Sequence, residues 1–266
     1  IAEGSPIGGY NARIPHMDAP DRDQPDLMPL GAHLQELRRR LIWALAGLAV
    51  GVAAGLLLGR WVLELLARPY RQVMTDRAEL FVYDMAGGFL AYLRASLLAG
   101  VLLAAPWVFY QAWRFVAAGL TARERRAVLW AAPASAGLFI GGALFFLFVA
   151  AEPLLAFFKA CNDWLGFAMQ IRLQNHLAMM TNLMLVFGLC FQLPLAVWVL
   201  ARLGVVTPAG LAKYRRHVIV AILILAATLT SPSPVDQLLL AGPMILLYEL
   251  GVLLARTAGR ARKPTA

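Results

Sequence analysis

Residues 41–58 read LIWALAGLAVGVAAGLLL, a run with no charge and no polar side chain apart from the Trp43 indole. It approaches the roughly 20 apolar residues that a helix needs to cross about 30 Å of hydrocarbon. Arg38, Arg39 and Arg40 stand immediately before it and Arg60 just after it, so charge bounds it on both sides. Working outward, five further apolar segments follow: 85–113, interrupted by Arg94, then 127–151, 177–203, and two shorter ones at 217–229 and 238–255. The last two flank Thr230-Ser231-Pro232-Ser233-Pro234, where paired prolines force a tight non-helical reversal. Over the 266 residues, 61% are hydrophobic and 15% charged, with a mean hydropathy of +0.67, which leaves too little polar surface for a water-soluble domain. The expected fold is all-α: a polytopic integral membrane protein with six transmembrane helices, the fifth and sixth short.

Basic residues set the expected orientation. Arg38 to Arg40 precede the first span; Arg114, Arg123, Arg125 and Arg126 lie between the second and third; Arg202, Lys213, Arg215 and Arg216 lie between the fourth and fifth; Arg256, Arg260, Arg262 and Lys263 follow the sixth. On the other side Arg60, Arg68, Arg71, Arg77, Lys159 and Arg172 are diluted over long loops and accompanied by Glu64, Asp76, Glu79, Asp84, Glu152 and Asp163. Both termini are therefore expected in the cytoplasm. The net charge of +9 and pI near 10.1 are explained by this bias, so a nucleic-acid partner is not expected. Residues 1–27 read as a disordered cytoplasmic leader without the basic start and apolar run of a signal peptide, 28–256 as the membrane domain and 257–266 as a basic cytoplasmic tail. Asp84, Thr121 and Thr207-Pro208 are candidate helix starts, and 61–67 reads as an amphipathic segment lying along the outer boundary and stopping at Pro69.

The chain carries no G-x-S-x-G, H-E-x-x-H, C-x-x-C, P-loop or dinucleotide fingerprint, and its histidines are scattered, so no enzyme, metal site or cofactor is expected. Cys161 and Cys190 make no disulfide framework. What remains is polar. Glu36 stands one turn before Arg39 and Arg40, a spacing that an ordinary ion pair in an interfacial helix explains. Glu124 follows Thr121 by three residues, which is the spacing of a capping box. Deeper in the spans lie Gln192, beside Pro194, and the ionisable groups Arg94 and Glu249, each costly in hydrocarbon unless it snorkels, pairs or faces another helix. A secondary solute transporter is the alternative class, and it would require polar residues converging near the midplane.

Several ordered motifs carry a resemblance: His33-Leu-x-Glu36-Leu-Arg38-x-Arg40-Leu, the run from Ala105-Pro106 through Tyr110-Gln111-x-Trp113-x-Phe115, Glu124-Arg125-Arg126, Phe191-x-x-Pro194, and Pro243-Met through Tyr248-Glu249-x-Gly251. Together they resemble TatC, the six-span subunit of the twin-arginine protein translocase of bacterial-type cytoplasmic (inner) membranes. The resemblance implies a receptor for signal peptides bearing paired arginines, acting in a translocase that exports folded proteins. It further implies single-span TatA/TatB-type partners, a lipid environment and a homo-oligomeric receptor complex. On that basis Glu36, Glu124, Arg38 and Phe115 are the expected signal-peptide residues, and Gln192 and Pro194 the expected contacts to a partner helix. Gln192 replaces a Glu found in many members, Ser233 an Asp, with Asp236 displaced along the turn, and Ala118 a Pro.

Overall fold

The computed structural model describes residues 30–74, 80–120, 122–167, 171–229 and 234–260. Among them the chain forms α1 (Leu30–Val73), α2 (Gly87–Ala118), α3 (Ala122–Phe145), a π turn (Phe146–Ala150), α4 (Ala151–Trp164), α5 (Leu173–Cys190), α6 (Leu193–Leu203), α7 (Pro208–Leu229) and α8 (Pro234–Arg260). The only β pairing among the described residues is an isolated bridge between Phe81 and Arg172. The expected leader, 1–27, and the reversal at 230–233 lie outside the described residues. Six membrane segments result: α1, α2, α3 running through the π turn into α4, the pair α5 and α6, α7, and α8. Among the described residues four stretches are long and apolar enough to cross a membrane, namely Leu34–Val73, Gly87–Ala118, Trp130–Trp164 and Leu173–Leu203. In α7 and α8 the apolar runs are the shorter ones, and each helix extends past its run, α7 through Lys213, Arg215 and Arg216 and α8 to Arg260.

The seam between α1 and α2 organises the molecule. Gly47, Gly51, Gly55 and Gly59 recur every fourth residue, close to one turn, and share one face of α1. A Cβ on Gly55 would stand 2.3 Å from the Ser96 carbonyl oxygen and 2.6 Å from Gly100 N; one on Gly51 would stand 2.6 Å from the Gly100 carbonyl oxygen. The two backbones therefore touch, the arrangement that small residues permit where helix association depends on close packing. Side chains fasten the seam: the Tyr92 hydroxyl donates to the Leu56 carbonyl, and Trp107 Nε1 donates to the Trp43 carbonyl at 2.8 Å.

Two expectations about α1 and its neighbours are corrected. Segment 61–67 is not a separate interfacial helix; α1 runs on through Pro69 to Val73. Its apolar face is buried rather than laid on a boundary, with Leu66, Ala67 and Tyr70 at 0–1% exposure. Pro69 interrupts the backbone ladder by lacking an N–H, and beside it His176 of α5 donates Nε2 to the Leu66 carbonyl at 2.9 Å. His176 is itself 1% exposed and its ring lies 5.5 Å from that of Tyr70, so a polar clasp sits within the main apolar core formed with Leu98, Phe146, Leu155 and Met180. Asp84 does not cap α2 with its side chain; the N-cap residue is Ala86, and the Asp84 carboxylate instead accepts from Gln174 Nε2 at 3.5 Å.

The third and fourth segments bend at proline. Pro153 offers no N–H to the Val149 carbonyl, and the helix widens into the π turn just before it, continuing to Trp164. Pro194 likewise separates α5 from α6, with Phe191 and Gln192 forming the break. Thr207 caps α7 as its sequence position suggests, its Oγ1 accepting from Gly210 N at 3.1 Å.

Candidate functional site

At the end of the bundle where Arg38 to Arg40 enter α1, called here the basic end, one acidic side chain is held between α1 and α2. Arg40 contacts Glu36 Oε1 through Nε and Nη2, both at 2.6 Å, and reaches across to Gln111 Oε1 through Nη1 at 3.2 Å. The pair is only partly solvated, with side-chain exposures of 14% for Arg40 and 21% for Glu36, and Gln111 is 3% exposed. The i,i+4 ion pair expected from spacing is therefore present, with Arg40 as partner, and a second helix locks it. Phe115 is half-buried one turn beyond Gln111 on the same side of α2. Arg38 is exposed and stands about 200° around α1 from Glu36, so the helix does not bring those two together. Arg114 stacks on Tyr110, its Cζ 5.5 Å from the ring centroid. Glu124 occupies the first turn of α3 in the chain order, but its side chain lies outside the described residues, as do Thr121, its expected capping partner, and the side chain of His33.

The intramembrane polar groups are each accounted for separately. Gln192, at the break before α6, donates Nε2 to the Ser135 carbonyl on α3 at 2.9 Å, and the Ser135 hydroxyl accepts from Trp113 Nε1 at 2.6 Å. Three segments are thus tied by one polar chain. Pro194 is buried, with Gly251 of α8 close against it. Glu249 forms an ion pair with Arg215 of α7, while the neighbouring Tyr248 hydroxyl donates to the Leu211 carbonyl at 2.8 Å. Arg94 is exposed on α2 and makes no hydrogen bond or ion pair with any described residue. Among the described residues no three His, Cys, Asp or Glu side chains gather as a metal site would require. An open apolar groove of about 400 Å³ runs between α3, α6 and α8, lined by Trp130, Leu138, Phe191, Pro194, Trp198 and Leu250 among others.

The family profile described as Sec-independent protein translocase protein (TatC) matches residues 32–243. The chain belongs to the TatC family. It is 34% identical to the Sec-independent protein translocase protein TatC of Azotobacter chroococcum over 93% of this chain and 96% of that one. With the TatC of Aquifex aeolicus it is 31% identical over 89% and 98%. A crystal structure of a twin-arginine translocase receptor, TatC, matches at a TM-score of 0.75 and 30% identity, covering 85% of this chain and 99% of that one. A second, in DDM, matches at 0.77. The chain is thus a protein-translocase component with the TatC fold, and the solute-transporter alternative loses its footing: Gln192, Arg94 and Glu249 are engaged or exposed at separate places rather than converging.

Within this TatC fold, the residue that sequence reading passed over is Gln111. It stood in a quoted motif without a role. A carboxamide in a run of Ala, Trp, Tyr and Phe was the available signal, since a buried amide requires a partner.

Proposed function

We propose that this TatC-family chain is a receptor for twin-arginine signal peptides and a core component of a translocase that exports folded proteins, with its basic end in the cytoplasm. The observation that carries this reading is the grip on Arg40: a carboxylate on α1 and an amide oxygen on α2 already converge on one guanidinium. Such a pair suits a planar fork of N–H donors better than a point charge. Glu124 supplies the second carboxylate for the second arginine, and Phe115, on the Gln111 side of α2, offers an apolar contact beside it. Arg38 adds to the cationic surroundings, which disfavour nonspecific capture of cations and leave close geometry to select the ligand.

The groove between α3, α6 and α8 supports the reading of a single-span TatA/TatB-type partner, with Pro194 in its lining and Gln192 two residues before it in the chain. Its exposed large side chains, such as Trp130 at 75%, suit a helix or lipid rather than water. Several such chains assemble in the receptor complex, in an inner membrane of bacterial type.

Two measurements test this. Crosslinking of a twin-arginine peptide to the purified chain should depend on both arginines, and no preference over a twin-lysine peptide would remove the receptor reading. For orientation, Cys161 is half-exposed on α4 whereas Cys190 is 6% exposed. A membrane-impermeant maleimide on intact spheroplasts should label Cys161 alone; protection of Cys161 until lysis would reverse the topology.

A further inference from the structure

The Glu36 carboxylate is occupied before any ligand arrives. Arg40 lies one helical turn away on the same face and places Nε and Nη2 on the same oxygen, Oε1, with Nη1 on Gln111. Glu36 Oε2 takes no hydrogen bond from any described residue. The parallel two-oxygen fork, the strongest carboxylate–guanidinium geometry, is therefore unused, because the short tether along α1 brings Arg40 onto one oxygen only.

We propose that Arg40 is an internal competitor for the guanidinium cradle formed by Glu36 and Gln111, and that its displacement sets how strong a grip a ligand must bring in order to bind. The proposal rests on the reading of Glu36 as a signal-peptide contact. A second guanidinium added beside Arg40 would meet like charge at short range, with Arg38 and Arg39 exposed nearby, so binding proceeds by exchange. An arginine free of the α1 tether takes both Glu36 oxygens and keeps the Gln111 contact, so exchange runs downhill. A lysine ammonium is a compact, strongly hydrated point charge without a fork. It does not replace the three nitrogen contacts of Arg40, so exchange runs uphill. Once released, Arg40 extends into solvent alongside Arg39. The cost of expelling Arg40 falls equally on both ligands, so the contacts set the preference for arginine and Arg40 sets the threshold that any ligand must pass.

The test compares affinities of twin-arginine and twin-lysine signal peptides for the full chain in detergent, wild type against Arg40→Gln and Arg40→Lys. With the competitor gone, Arg40→Gln should bind both peptides at least about tenfold more tightly, by similar factors, with the preference for arginine little changed. Arg40→Lys, which keeps the charge but loses the fork, should tighten both by less, and it carries the test if Arg40→Gln fails to fold. Unchanged or weaker twin-arginine binding in a folded Arg40 variant would overturn the proposal. A wild type that does not discriminate the peptides would instead overturn the receptor reading beneath it.

Discussion

At the far end of α1, Leu66, Ala67 and Tyr70 are at most 1% exposed, and a histidine from α5 closes onto the backbone beside Pro69. At the basic end of the same helix, Leu34, Leu41 and Ile42 are all more than half exposed, and the buried Gln111 amide holds the partly solvated Glu36 and Arg40 pair. One helix thus serves two purposes along its length. The far end is a packed apolar core into which the His176 ring is tied through Nε2, so it sets stability. The basic end leaves its apolar surface to lipid or partners and holds a charged pair that water can still reach, so its contacts can be exchanged. The glycine seam lies between them.

Breaking the seam should erase the difference between the ends. Gly55→Val places its Cβ 2.3 Å from a backbone oxygen that has no room to move aside. Overpacking of this kind exceeds the 1–3 kcal/mol typical of adaptable cores, so the variant should not yield a monodisperse species on size exclusion in detergent. A wild-type elution profile and melting temperature would show that the helices are not in backbone contact there.

A smaller effect, confined to the far end, is expected from His176→Leu. The substitution keeps most of the volume but leaves the Leu66 carbonyl without its donor, a loss of about 1–3 kcal/mol. The melting temperature should fall while twin-arginine peptide affinity stays within about twofold (roughly 0.4 kcal/mol). Equal loss of both would mean that the two ends are not separable.

Smaller again is Gln192→Leu, which removes the amide bond to the Ser135 carbonyl. Interhelical hydrogen bonds in membranes contribute about 0.6 to 2 kcal/mol, and thermal stability in detergent should drop by that much. Copurification of a single-span partner, measured in parallel, sharpens the comparison: loss of partner without loss of stability would place the role of Gln192 in docking rather than in tying α3 to α6.

The six-segment plan was legible because apolar runs and the asymmetry of Arg and Lys follow from the bilayer itself. The full reach of α1 was not, since Pro69 reads as a stop and only tertiary burial of Leu66 and Tyr70 carries the helix past it. The glycine face was equally silent: in a run of Ala, Leu and Val, glycine lowers hydropathy slightly and says nothing of the backbone it meets. At the candidate site, the Glu36 with Arg40 pairing follows from helical spacing. Its lock does not, because Gln111 is 71 positions away from Arg40 and only the packing of α1 on α2 brings them together.

For the proposed role of Glu36 in recognition rather than stability, the deciding measurement is twin-arginine peptide affinity alongside thermal melting for Glu36→Gln. A charge-assisted hydrogen bond contributes about 1.5–3 kcal/mol, so affinity should fall roughly ten- to a hundredfold. Gln can still accept from Arg40, so the melting temperature should move by no more than about 1 kcal/mol of equivalent stability, the scale of partly exposed ion pairs. Undiminished affinity together with a marked loss of stability would contradict the claim and make Glu36 a structural tie between α1 and α2.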